Sequence, residues 1–190
     1  MAPRAAAGKY KVVIEKGKEK YETTIEIAYP KNSVFTLKER KYQETVTQDL
    51  FKMNEELAYL VYEIDELVQH SDKMVKKNPK LSKAATKMSA ELTALKAELV
   101  ITTGDNYVGR AENQLREDLS DIYATIAGNF GPPTSSQMEN VKMMETKLGE
   151  AKAKMDKSRN GSVKKYKAML EKLELKAFSF ESFEEFTDKE

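Results

Sequence analysis

His70 is the single histidine in a chain of 190 residues that also lacks cysteine and tryptophan. A histidine acts as base or metal ligand with partners, and no second imidazole or thiolate exists to join it. It stands three residues past Leu67, near the end of a long helical pattern, where the last carbonyls of a helix favour a cation. Glu63, Asp65 and Glu66 form a carboxylate cluster. Acid–base cleavage of a glycoside needs two carboxyls facing each other across a sugar ring. Glu63 and Glu66 instead share one helical flank, so a solvated edge is expected. Asp105 and Asn106 could offer oxygen to a hard cation, but a calcium loop needs alternating oxygens and a distal glutamate. Gly128 and Gly131 are followed by Pro132 and Pro133 rather than by a Lys-Ser/Thr pair, so they stop a helix and hold no phosphate. No catalytic, cofactor-binding or metal-binding residue is expected, and the chain does not read as an enzyme. One aromatic cluster remains. Phe178, Phe180, Phe183 and Phe186 stand among acidic residues near the C-terminus, either as a partner-contact segment or as a cover for the open end of a bundle.

The elements that would carry these residues are mostly helical. Val46, Leu50, Met53, Leu57, Leu60, Ile64 and Leu67 follow steps of four and three, which keeps one apolar stripe on one helical face. Thr36 and Glu39 make a capping box that opens this helix at Leu37, and nothing breaks it before about Val75. At 1.5 Å per residue that is a rod of roughly 55–60 Å. Asn78 and Pro79 mark a turn, and Leu81, Ala85, Met88, Leu92, Leu95 and Leu99 give a second helix. A third begins near Arg110, after a loop around Gly104, and carries Leu115, Leu119, Ile122 and Ile126. Thr134 and Gln137 form another capping box before Met138, Val141, Met144, Leu148, Ala151 and Met155. Ser158–Ser162 is a turn signal that breaks or kinks this helix. An antiparallel up-and-down bundle of four main helices is the simplest architecture.

Ahead of the helices, Tyr10, Val12 and Ile14 alternate with Lys9, Lys11 and Val13, and Tyr21, Thr23, Ile25 and Ile27 alternate with Glu22, Thr24 and Glu26, across a Lys16-Gly17-Lys18 turn. This predicts a half-buried β-hairpin. An isolated hairpin is marginal in water. It either rests on the helices or belongs to an immunoglobulin-like sandwich whose earlier strands are missing here, and the second is preferred. The chain thus divides into residues 1–29, the hairpin, and 30–190, the helical bundle with its Phe-rich tail. The 32 basic and 31 acidic residues leave a net charge of +1, which does not favour nucleic acid as a partner. No apolar run reaches the ~20 residues of a membrane span, and the opening residues lack the apolar stretch of a secretory signal.

The strand opening Gly8-Lys9-Tyr10-Lys11-Val12, the Tyr29-Pro30-Lys31 junction, the long helix, and the Leu115–Ile126 helix followed by Gly131-Pro132-Pro133-Thr134 and Gln137 come in a telling order. That order resembles the C-terminal region of large secreted bacterial proteins with sortilin-like (Asp-box, BNR-type) β-propellers, often labelled glycosyl hydrolases. The sequence departs at the junction, where Tyr29 and Lys31 replace the aspartate and arginine usual in that family. The resemblance implies a non-catalytic structural or interaction module, extracytoplasmic, whose partner is the propeller and sandwich part of a parent or another protein. It carries over no catalytic residue and no cofactor. A stand-alone helical ligand carrier or small enzyme is the alternative, with a pocket between helices lined by Met53, Met88, Met144, Tyr62 and Tyr123. Homo-oligomerisation through the first helix is a third possibility.

Overall fold

The computed structural model describes residues 3–102 and 112–188, and the chain is mainly helical with one antiparallel β-hairpin. Strands β1 (Gly8–Lys16) and β2 (Glu19–Ile27) pair through a two-residue turn in which Gly17 takes φ +61°. Glycine reaches that left-handed region without steric cost, and a tight hairpin needs it there. The helices are α1 (Leu37–Lys77), α2 (Ser82–Leu99), α3 (Leu115–Gly128), α4 (Ser135–Ser158), α5 (Lys164–Lys172) and the short α6 (Phe183–Thr187). Both expected capping boxes are present: Glu39 N donates to Thr36 Oγ1 at 3.3 Å, and Gln137 N donates to Thr134 Oγ1 at 3.2 Å. Asn78 accepts from Lys80 N at 3.2 Å and opens a 3₁₀ turn at Pro79–Leu81, as its sequence position implies. Gly104, Asp105, Asn106 and Arg110 lie outside the described residues.

Side-chain bonds between helices fix their directions. Ser71 meets Ser89 at 2.9 Å and Asp65 meets Lys96 at 2.6 Å, so α2 runs antiparallel to the C-terminal half of α1. Gln43 donates to the Ile126 carbonyl at 2.8 Å and Asn54 meets Ser120 at 3.5 Å, so α3 runs antiparallel to the N-terminal half. Helices α2 and α3 therefore follow one another along the same flank of α1. The third rod runs the other way. Glu56 pairs with Lys152, Glu63 with Arg159 and His70 with Tyr166, each partner seven residues beyond the last, which makes α4 and α5 parallel to α1. Three rods result, the middle one in two pieces. This differs from the expected alternation of four helices, because a 41-residue α1 is long enough to seat α2 and α3 end to end.

The Ser158–Ser162 turn signal neither breaks nor sharply ends the third rod. Arg159–Val163 forms one π-helical turn, which absorbs the glycine and its polar neighbours while α4 continues into α5. The rods bury the predicted stripes almost completely: Leu50, Ile64, Leu81, Met88, Leu92, Leu119, Met155 and Tyr166 are inaccessible to solvent. Each large apolar side chain so buried stabilises the fold by about 1.5–3 kcal/mol relative to exposure.

The hairpin is treated differently. Its register puts Tyr10 opposite Ile25, Val12 opposite Thr23 and Ile14 opposite Tyr21, so one face is apolar except at Thr23. The other face carries charge, with Lys11 bonded to Glu22 at 2.8 Å and Lys20 to Glu15 at 3.2 Å. The expected half-burial is not what forms. Ile14 is 58% exposed, Tyr21 55% and Ile25 45%, because the strands meet the helices at their root, around Ile27 and Tyr29, and extend past them.

Candidate functional site

Among the described residues no group of three or more histidine, aspartate or glutamate side chains is placed to hold a metal ion. Two carboxylates of the sequence cluster, Glu63 and Asp65, serve the rod interfaces. Glu63 is only 5% exposed and receives both Nε (2.9 Å) and Nη2 of Arg159, a bidentate pair that holds the guanidinium pKa above its ordinary value. In place of the solvated edge expected there, Glu63 is buried and paired at the π turn with a partly exposed Arg159. Burial is tolerable because the partner arrives from the facing rod with matching geometry. Asp65 pairs with Lys96.

His70 also departs from expectation. Its Nδ1 lies 3.1 Å from the Tyr166 hydroxyl, and its pKa is lowered by burial first, then by Lys73 and Lys77. A cation at the helix end is therefore disfavoured. Burial also pushes the Tyr166 hydroxyl up to about 12.

The four tail phenylalanines come together along the flank of α1 and not over an open end. Phe178 lies 5.4 Å from the His70 ring and stacks on Phe180 at 5.8 Å, and Phe180 meets Tyr62 edge-on at 6.4 Å. Phe183 and Phe186 lie 5.4 and 5.6 Å from Tyr59. The Tyr59 hydroxyl donates to the Glu181 carbonyl at 3.0 Å, and Ser182 caps α6. Tyr59 and Tyr62, aromatic residues of α1 beside the Val46–Leu67 stripe, are the signal that locates this contact. Of the candidate pocket residues, Met53, Met88, Met144 and Tyr123 lie in the core, whereas Tyr62 lies under the tail.

A site that motif reading missed sits at the root of the hairpin. A half-enclosed cleft of about 200 Å³ is lined by Arg4, Ile27, Tyr29, Arg40, Phe130 and their neighbours. The elements converge there for simple reasons. Pro30 ends β2, and the chain turns into the capped start of α1, which presents Arg40, Gln43 and Glu44 one to two turns in. The link from α3 to α4 crosses opposite. A Cβ on Gly131 would lie 2.6 Å from the Phe35 ring, so only glycine lets this link approach so closely. Gln43, 7% exposed, donates to the Ile126 and Asn129 carbonyls and so closes the end of α3. The Tyr29 hydroxyl donates to Glu44 and is pushed up to about 12, by burial first and that carboxylate second. Arg40 faces the rings of Tyr29, Phe35 and Phe130 at 5.3–5.8 Å, and Arg4 lies 4.6 Å over Phe130.

Comparison of the chain with protein-family models, with curated proteins and with solved structures finds no match. No helix among the described residues is long and apolar enough to cross a membrane.

Proposed function

We propose that the chain is a non-catalytic interaction module in which the helical rods form a rigid stalk and the hairpin is the docking element. Its occupant is the remaining sheet of an immunoglobulin-like sandwich within a larger extracytoplasmic protein of the sortilin-like propeller kind. One observation carries this reading: the hairpin has a largely apolar face, broken by Thr23, left open at Ile14, Tyr21 and Ile25. An open apolar face with unpaired strand edges is a liability in an isolated protein and a normal feature of a sheet awaiting further strands. The Tyr10 hydroxyl donates to the Ala6 carbonyl at 2.6 Å, the kind of back-bond that tyrosines make at sandwich corners.

Backbone hydrogen exchange on the chain alone, with light scattering on the same sample, tests the proposal. Amides from Tyr10 to Ile27 are expected to exchange freely while Val46–Leu67 is strongly protected and the chain is monomeric. Hairpin protection equal to that of α1 in a monomer overturns it, because the chain then completes its own hairpin. The same protection in a dimer also overturns it, since a second copy then occupies the face.

A further inference from the structure

The cleft at the hairpin root carries a second inference, independent of what covers the apolar face. Among the described residues the Arg40 guanidinium makes one hydrogen bond, from Nη2 to Ser33 Oγ at 3.2 Å, and no carboxylate lies within ion-pair distance of it. Among the described residues its Nε is buried and without a hydrogen-bond partner. A buried N–H on a permanent cation is costly to leave unpaired, and the three surrounding rings offer quadrupoles without an acceptor lone pair. Arg4 places a second cation across Phe130. The one acidic group in the cleft, Glu44, is engaged by the Tyr29 hydroxyl. Positive charge is therefore in excess, in a space whose remaining walls are the apolar Ala5, Ile27, Pro30 and Ala127 together with the polar Gln43 and Thr47.

We infer that this cleft binds a small carboxylate with a short apolar body. The carboxylate accepts from the Nη edge of Arg40, since Nε is closed to solvent, and is flanked by Arg4, while the body lies against Ile27, Pro30 and Ala127. The cleft, about 200 Å³ and half-enclosed, has room for a short aliphatic acid of about five or six carbons. A planar carboxylate matches the guanidinium fork better than a spherical anion does.

Hexanoate is the probe, and uncharged hexanamide of the same shape is its control. Titration of the full chain, followed by backbone amide NMR, is expected to give saturable shifts at Ile27, Arg40, Gln43 and Ala127 with hexanoate, and none with hexanamide. Arg40→Gln is expected to weaken binding at least about tenfold, the usual scale for losing a charged hydrogen bond. Arg40 also stacks on three rings, so Arg4→Gln supplies a variant at an exposed position. It is expected to weaken hexanoate by about threefold, an exposed-charge effect that added salt reduces in the parent chain. The inference is overturned by the absence of saturable shifts up to about 10 mM hexanoate, a concentration that detects millimolar affinity. It is equally overturned by hexanamide binding as well as hexanoate, or by shifts that saturate away from the cleft.

Discussion

Helix α1 and the hairpin carry the same kind of pattern and meet opposite fates. The stripe from Val46 to Leu67 is no more than 8% exposed at any of its apolar positions, whereas three apolar residues of the hairpin face are 45–58% exposed. Both faces are legible as periodicity, of about 3.5 in one and 2 in the other. What differs is the supply of partners. Two antiparallel helices and one parallel rod are laid along α1, while the hairpin is joined to the body at its root only. Amphipathic periodicity thus identifies a face to be covered and says nothing about what covers it.

The sharpest way to break this comparison is to remove an apolar side chain from each face. Ile64→Ala, at a position wholly shielded by the rods, is expected to lower unfolding free energy by about 3–4 kcal/mol. Ile14→Ser on the open hairpin face is expected to change it by less than about 0.5 kcal/mol. Urea denaturation of both variants measures the contrast. Equal losses would mean that the hairpin face is covered in solution and that the two regions are not different in kind.

The second expected effect concerns what holds the rods in register. Arg159→Ala leaves Glu63 inside the interface without its bidentate partner and is expected to cost about 2–3 kcal/mol. That is below the full range for a buried pair because Arg159 itself is partly solvated. The double variant Glu63→Leu with Arg159→Met is expected to recover most of that loss, since apolar replacements remove the unpaired charge. No recovery on denaturation would show that the π turn needs the ion pair itself.

Much of this was readable from residue types, and the failures have physical causes. Local signals survived intact: Thr36 with Glu39, Thr134 with Gln137, Asn78 with Pro79, and the Gly17 turn each act within four residues of chain. Misreadings came where tertiary partners decide. Glu63 reads as solvent-facing until Arg159, 96 residues away, is brought opposite it. Three rods rather than four alternating helices follow from the length of α1 relative to α2 and α3, which stripe spacing does not encode. The Arg40 cleft escaped because its members come from the N-terminal segment, the end of β2, the first turns of α1 and the residues after α3, and no motif spans those distances.

The smallest expected effect sharpens the comparison from the covered side, at the far end of α1. His70 is packed between Phe178 of the tail and the hydroxyl of Tyr166, with Lys73 and Lys77 on its own helix and Lys167 against the other face of that aromatic cluster. Its pKa in the fold is lowered, so the folded state prefers the neutral ring, while the unfolded chain takes up a proton near pH 6.5. The unfolded state then binds more protons, and stability must fall as pH drops from about 6.5 towards the folded value. This window lies above the one set by Glu39, whose pKa is lowered by its cap bonds to Thr36 and whose contribution disappears only at more acid pH. Urea midpoints measured at about pH 7.5 and 5.5, either side of the free imidazole value, are expected to decline on acidification in the parent chain and to decline less in His70→Gln. An identical decline in both would show that the acid sensitivity does not come from His70. His70 would then be a spectator in an interface whose packing tolerates its charge.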